Sequence, residues 1–435
     1  MPAVATAVGF GHSAGPRAAM ATGAVGLLLL VQAGPAEVRA QTAPQTDRGD
    51  RGGPSFQTSY ECVACHNGLT TPTGENVSIG VNWRASMMAQ SARDPYWQGA
   101  VRRETIDHPM HTAAIEDESR VVGTLPEQVP YLEWQHSAFR EDQSCQACHM
   151  PAVTEPTPIT SVVGEPRERL GRHTFLGGNF FMLRMLNRYR ADLGVTVPPQ
   201  ELEAAARATE RQLQTDTASV DITTTARTAA GIEFAVSVTS GVGHKLPTGY
   251  PSRRVWLHVT IRDASGRTVF ESGAVAPDGA IAGNDNDADA TVYERHYQEI
   301  RAADEVQIYE SVMTDADGVV TTGLLRGARY VKDNRLLPRG FDKTTASDDI
   351  AVRGRADADP DFLAGGDRVR YVVDSPDAAG SLMIEAELRY QPIGYRWAQN
   401  LGEYDAVETK RFVSYYDATA AGSSLVLAHS SALVE

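Results

Sequence analysis

The arrangement of the four cysteines restricts what this chain can fold into. All four fall into two Cys-x-x-Cys pairs, each followed directly by histidine, at residues 62–66 (CVACH) and residues 145–149 (CQACH). This spacing is typical of covalent haem attachment, in which both thiols form thioethers and the adjacent histidine binds the iron. The sequence therefore predicts two haem c groups. The predicted thioether residues are Cys62, Cys65, Cys145 and Cys148, and the predicted proximal iron ligands are His66 and His149.

Three other structures would use the same cysteines. A four-cysteine zinc site suits two Cys-x-x-Cys pairs, but it leaves both histidines unexplained. A thioredoxin-like redox pair is expected within a βαβ pattern, which surrounds neither motif. Two structural disulfides are the third alternative for an exported chain. Histidine follows both pairs by chance with a frequency on the order of one in 1,600, which favours haem.

The first 40 residues are predicted to form an export signal. Arg17 precedes an apolar run at residues 18–31, and residues 38–40 (VRA) provide a cleavage position before Gln41. The run is shorter than the roughly 20 residues of a spanning helix, so membrane association is expected only if the signal is not cleaved. We expect export to the periplasm or cell surface, with a polar, disordered linker at residues 41–55.

The hydrophobic period changes from helical to alternating near residue 217. We expect an α+β chain, with a mostly helical, haem-binding N-terminal half at residues 56–216 and a C-terminal β-sandwich-like domain at residues 217–435. In the first half, Asp94-Pro95 and Asn179 mark helix starts. Further helices are predicted at residues 83–90, 131–140 and 199–214. Alternating strands are predicted around residues 232–238, 255–261 and 382–390.

The net charge and the absence of catalytic motifs reduce the number of possible functions. A net charge of -15 disfavours nucleic acid and anionic membranes as partners, and it is compatible with a basic redox partner protein. The chain has no Gly-rich phosphate loop, nucleophile elbow or His-Glu-x-x-His motif, so no catalytic residue is predicted.

Each iron also needs a sixth ligand or keeps an open position. His136 and His173 are the main candidate distal ligands because they lie near the motifs. Weaker candidates are His108, His111 and His244. Methionines near the motifs are more typical of core packing on apolar helix faces.

Four stretches resemble one family. They are residues 82–97 (NWRASMMAQSARDPYW), 130–151 (PYLEWQHSAFREDQSCQACHMP), 172–186 (RHTFLGGNFFMLRML) and 243–256 (GHKLPTGYPSRRVW). Together they resemble exported multihaem c-type cytochromes, which are related to tetrahaem cytochromes c and hydroxylamine oxidoreductase-like proteins. The resemblance implies electron transfer through closely packed, often bis-histidine haems. His136 and His173 lie in strings similar to the family's distal-ligand strings, and His244 lies in another similar string.

The chain departs from this family in its number of haem motifs, because such proteins usually carry four or more. Residues 114–118 (AIEDE) are similar to a segment that leads into another motif in the family, but Ser119 follows here. Our hypothesis is that a haem-bearing segment is missing near residues 118–119, by true deletion or by a fault in gene prediction. Sequencing the locus would decide between these causes.

The sequence favours an electron-transfer cytochrome with two covalent haems. One alternative is a haem-dependent oxidoreductase that acts on a small nitrogen or sulfur species at an open iron. Another is a β-sandwich binding protein with a reduced haem module.

Overall fold

The structure, a computed structural model, describes residues 3–8, 62–109, 121–228, 231–374 and 380–435. Several predicted features lie outside these residues. They are most of the signal peptide, the linker, His111 and the junction at residues 118–119.

The described chain combines helices and strands, so the α+β class is confirmed. The α-helices of the described residues are α1 (Ile79–Arg84), α2 (Met87–Gln90), α3 (Pro95–Asp107), α4 (Pro130–Gln135), α5 (Cys145–His149), α6 (Phe180–Arg188), α7 (Pro199–Asp216), α8 (Asp285–Ala288), α9 (Tyr395–Gln399) and α10 (Val407–Asp417). No helix among the described residues has both the length and the apolarity needed to cross a membrane.

The strands lie mainly in the second half of the chain. They are β1 (Ala3–Val8), β2 (Val121–Gln128), β3 (Ala218–Arg227), β4 (Gly231–Ser240), β5 (Arg254–Asp263), β6 (Thr268–Ser272), β7 (Glu299–Ile300), β8 (Ile308–Tyr309), β9 (Ser311–Thr314), β10 (Val320–Thr321), β11 (Arg329–Asp333), β12 (Gly366–Asp374), β13 (Leu382–Gln391) and β14 (Leu425–Val434). The strands predicted at residues 232–238, 255–261 and 382–390 are confirmed as parts of β4, β5 and β13.

Two helix starts are confirmed with their capping contacts. The Asp94 carboxylate accepts the N–H groups of Tyr96 and Trp97, and Pro95 occupies the first turn of α3. The Asn179 side chain accepts the N–H of Met182 at the start of α6. Both caps satisfy N–H groups that have no partner within the helix.

Two predicted helices are interrupted where a serine caps a new turn. The helix predicted at residues 83–90 is divided into α1 and α2, because the Ser86 hydroxyl accepts the N–H of Ala89. The helix predicted at residues 131–140 is divided into α4 and a 3-10 turn, where the Ser137 hydroxyl accepts the N–H of Phe139. In both cases a local side-chain acceptor replaces the helical hydrogen-bond pattern.

Two larger sheets make up most of the β-structure. Their strand orders are β3-β4-β12-β7 and β14-β13-β5-β6, with β8 also paired to β5. A smaller sheet has the order β10-β9-β11, and β1 pairs with β2. Strand β13 pairs antiparallel with β5 and places Ile384 opposite Ile261. Alternation along β13 sends one set of side chains into the core.

Helix α6 is anchored directly on the sheet region. Phe180 and Leu186 belong to the same buried apolar cluster as residues of both larger sheets. The Phe180 ring lies 6.4 Å from the ring of Tyr390 on β13, and the Phe181 ring lies 5.8 Å from that of Tyr416 on α10. The segment that precedes α6 is therefore held against the sheets, and this segment forms part of the candidate site.

Candidate haem centre

The first motif forms a tight turn at the surface. The N–H of His66 donates to the carbonyl of Cys62 at 3.0 Å, and the thiols of Cys62 and Cys65 are exposed. The Nδ1 atom of His66 donates to the carbonyl of Ile159 at 2.7 Å. Because Nδ1 carries the proton in this bond, Nε2 keeps its lone pair for a metal ion.

The second motif is helix α5 itself. Cys145 and Cys148 lie three residues apart, so they share one face of the helix, and both thiols are exposed. The Nδ1 atom of His149 donates to the carbonyl of Leu176 at 2.5 Å. His149 therefore repeats the arrangement of His66, with a backbone carbonyl fixing the ring and Nε2 left for iron.

One segment, residues 150–178, supplies both of these carbonyl groups. Arg172 connects this segment to the first motif region, because Nη2 lies 2.7 Å from Oε2 of Glu75 and Nη1 donates to the carbonyl of Ala152 at 2.7 Å. Val153 packs into a small apolar cluster with Leu69 and Val77. The two motifs are thus parts of one unit.

His244 lies opposite His149. The two ring centroids are 6.2 Å apart, and the ring planes differ by 19°. A metal–imidazole bond is about 2 Å long and a ring nitrogen lies roughly 1 Å from its centroid, so two axial imidazoles on one iron have centroids about 6 Å apart. The Nδ1 atom of His244 donates to the carbonyl of Lys245 at 2.9 Å, which leaves Nε2 for the iron. The centroid distance and the small interplanar angle of this pair match those expected for two axial imidazoles on one iron.

The protonation state of His244 also suits a metal ligand. Burial lowers the pKa of His244 below its usual value of 6.5. The ring is therefore neutral at neutral pH, and the neutral form is the one that binds iron.

A buried group of four charged residues holds the segment that contains His244. We call Glu133, Lys245, Asp333 and Arg335 the buried charge network. Lys245 Nζ lies 2.7 Å from Asp333 Oδ2, and these side chains are 0% and 3% exposed. Arg335 pairs with Asp333 at 2.7 Å and with Glu133 at 3.0 Å. Two positive and two negative charges balance, as burial of ionised groups requires.

The network makes the fold sensitive to acid. Burial by itself would raise the pKa of Asp333, but the charges of Arg335 and Lys245 outweigh it and lower the pKa from 3.8 to about 2. A folded-state pKa below the unfolded-state value means that the carboxylate stabilises the fold above about pH 4. This contribution, roughly 2 kcal/mol, is lost as the pH falls toward 2.

Replacement of Asp333 by asparagine tests this contribution. Lys245 and Arg335 would lose their shared anion, so we expect the free energy of unfolding at pH 7 to fall by about 3–5 kcal/mol. The free energy of unfolding of the variant should also decrease less than that of the wild type as the pH falls below 4, because the variant has no carboxylate to protonate at this position. Denaturant unfolding at several pH values measures both effects. Asp317→Asn, at an exposed turn, is the control, with an expected change of less than about 0.5 kcal/mol. Equal stability of the two variants would contradict the assignment.

The other candidate histidines have different neighbours. The His136 ring lies 6.3 Å from that of Phe341, and its Nδ1 donates to the carbonyl of Leu132. The His173 ring contacts Phe175 edge-on at 5.8 Å. His108 is buried at the end of α3, with Nε2 3.7 Å from Glu104 Oε2. Among the candidate distal ligands in the described residues, His244 is the one whose ring lies beside that of His149.

Among the described residues, the four cysteines do not gather into a metal-binding cluster. Within the described part of the chain, which contains all four cysteines, three or more possible ligand atoms converge at His296, Asp359 and Asp367. These atoms have protein partners: His296 Nε2 lies 2.9 Å from Asp359, Gln307 donates to His296 Nδ1, and Tyr309 donates to Asp367. This cluster is therefore a buried hydrogen-bond network.

Sequence reasoning missed the residues that support the ligands. Glu133, Asp333 and Arg335 belong to no recognisable motif, and their segments are far apart in the chain. The carbonyls of Ile159 and Leu176 carry no side-chain signal at all. The one available signal was the string around His244, where a lysine follows the histidine in an otherwise apolar, turn-rich stretch.

Comparison with known proteins adds one similar structure. No protein-family model and no curated protein sequence matches the chain. The penta-heme cytochrome c552 from Thermochromatium tepidum is similar with a TM-score of 0.37 and 15% sequence identity. The alignment covers 71% of this chain and 51% of that chain, so this chain spans about half the length of the solved structure. A similarity of this extent assigns neither a fold nor a function to this chain.

Proposed function

We propose that the chain is an electron-transfer c-type cytochrome with two covalently bound haems. The observation that carries the proposal is the pair of facing rings of His149 and His244. His149 directly follows the second Cys-x-x-Cys sequence. The haem of this motif would be held by thioethers to Cys145 and Cys148 and by the two imidazoles. Iron with both axial positions filled by protein exchanges electrons without binding a substrate.

The haem at the first motif would be held by Cys62, Cys65 and His66. His136 remains a candidate for its distal ligand, because the bond from Nδ1 to Leu132 leaves Nε2 available. His173 is the second candidate. All four thiols are exposed, so the attachment edge of each haem would lie at the surface, which supports electron exchange with a partner protein.

Residues 217–435 act in this proposal as a β-sandwich-like scaffold that supplies His244. Its two larger sheets share one buried cluster with α6, which supports a scaffold role over a separate binding module. The proposal also includes export to the periplasm or cell surface and a redox partner protein.

The haem content and spin state of the protein test this proposal. The chain is produced in a host with c-type haem maturation, and the reduced pyridine-haem spectrum gives the haem-to-protein ratio. We expect a ratio near two, with the haem at His149 ferric, low-spin and unreactive toward carbon monoxide after reduction. A ratio near zero would remove the proposal and return the cysteines to zinc or disulfides.

The same sample separates the carrier from an enzyme. A second haem that is high-spin and binds nitrite or sulfite would favour an oxidoreductase for small nitrogen or sulfur species at the His66 iron. Two low-spin haems without turnover of such species would favour the electron carrier.

A further inference from the structure

The residue after His244 is held at three of its atoms. The N–H of Lys245 donates to Glu133 Oε2 at 3.0 Å, and Lys245 Nζ donates to Asp333 Oδ2 at 2.7 Å. The carbonyl of the same residue accepts the Nδ1–H of His244. Because both ends of Lys245 are held by buried carboxylates, the direction of its carbonyl is fixed. That carbonyl sets the plane of the His244 ring.

The residue before His244 is also tightly packed. A Cβ atom added at Gly243 would lie 3.2 Å from Trp134 Cδ1 and 3.2 Å from Phe139 Cβ. The backbone therefore passes close to α4 and the turn that follows it. His244 lies between this contact and the held Lys245, so the ring has little freedom to turn.

Helix α4 connects the segments that carry His149 and His244, through Glu133 on one side and Trp134 on the other. Glu133 is completely buried and also accepts the Thr248 hydroxyl. Its neighbour Trp134 donates from Nε1 to the carbonyl of Gln143 at 2.9 Å, immediately before the second motif. One short helix thus holds both the segment that leads to His149 and the segment that carries His244.

We infer that Glu133 and Lys245 are positioning residues, which hold the His244 ring nearly parallel to the His149 ring so that both could bind one iron. This inference rests on the proposed function. The angle between two axial imidazole planes determines the anisotropy of ferric low-spin haem: near-parallel planes give a rhombic electron paramagnetic resonance spectrum, and perpendicular planes give a strongly anisotropic one. Electron paramagnetic resonance therefore reports the ring orientation directly.

The main test is the double variant Glu133→Met with Arg335→Met in the full-length haem-loaded protein. It removes one positive and one negative charge, so Lys245 and Asp333 remain paired, while the Lys245 N–H loses its acceptor. We expect the rhombic signal of the His149 haem to move to larger anisotropy or partly to high spin. Carbon monoxide should then bind a measurable fraction of that reduced haem. The matched control is Arg254→Met with Asp287→Asn, another buried ion pair at 2.8 Å, which should keep the wild-type signal.

A second variant covers the case in which the double variant does not fold. Lys245→Met leaves Glu133, Asp333 and Arg335 in place and removes one buried positive charge with the two bonds that Nζ donates, to Asp333 and to the carbonyl of Ala351. We expect the same change of the signal in a smaller degree.

The outcomes separate the inference from the proposed function. The signal of the His149 haem is the one that disappears in a His244→Ala variant. If no signal disappears, His244 is not a distal ligand and the positioning role fails with it, whereas the electron-carrier proposal is decided by the haem-to-protein ratio and the spin states. Alternatively, the signal disappears in His244→Ala and yet keeps its wild-type anisotropy both in the Glu133→Met, Arg335→Met double variant and in Lys245→Met. That result would overturn the positioning role alone.

Discussion

Replacement of His244 by alanine is expected to convert the haem at the Cys145 motif from low-spin to high-spin while the haem remains covalently attached. The variant loses the imidazole that lies opposite His149, so one axial position opens. Absorption and electron paramagnetic resonance spectra should show one high-spin haem per chain. The reduced haem should bind carbon monoxide, and the midpoint potential of that haem should rise because a strong donor to ferric iron is lost.

Two controls support this prediction. His429→Ala removes an exposed histidine from β14 and should leave both spectra unchanged. Added imidazole should restore the low-spin spectrum of the His244→Ala protein, because the free ligand replaces the missing ring. A low-spin spectrum in the variant without added ligand would show that another residue, such as His136 or His173, is the distal ligand.

Replacement of both cysteines of one motif is expected to lower the haem-to-protein ratio from two to one. Cys145→Ala with Cys148→Ala should remove the haem that has His149 as proximal ligand, and Cys62→Ala with Cys65→Ala should remove the other. Without thioethers, the haem is not retained during denaturing electrophoresis, so haem-stained gels and the pyridine-haem ratio measure the loss. Bound haem also stabilises the folded state, so both variants should unfold at lower denaturant concentration.

The two pairs of substitutions also separate the alternatives for the cysteines. In a four-cysteine zinc site, either pair of substitutions would abolish the whole site rather than half of it. With two disulfides within the pairs, neither would change haem content. Retention of two haems by either variant would contradict covalent attachment at that motif.

Local signals allowed much of the fold to be predicted. The cap at Asp94, the cap at Asn179 and the alternation in β5 and β13 each depend on neighbours within a few residues. The Cys-x-x-Cys-His motifs are equally local, because five consecutive residues would supply the thioethers and one ligand. The breaks at Ser86 and Ser137 were missed because a serine that caps a new turn looks the same in sequence as one on a helix surface.

The ring that lies opposite His149 could not be predicted in the same way. His136 and His173 are near the motifs in sequence, whereas His244 reaches His149 only through the packing of the β-region against α4. The charges that hold it come from α4, from the loop after β4 and from the end of β11. No local pattern relates these segments, so proximity in sequence favoured His136 and His173 over His244.

The order of these parts along the chain has a consequence for biogenesis. Both Cys-x-x-Cys-His motifs precede Leu176, which precedes His244, and Asp333 and Arg335 come later still. Under the proposed export, a chain that emerges N-terminus first presents its thiols for haem attachment before its second imidazole has crossed the membrane. The haem proposed at His149 would therefore pass through a period with one protein ligand. Completion of its coordination would mark the arrival and folding of the C-terminal half.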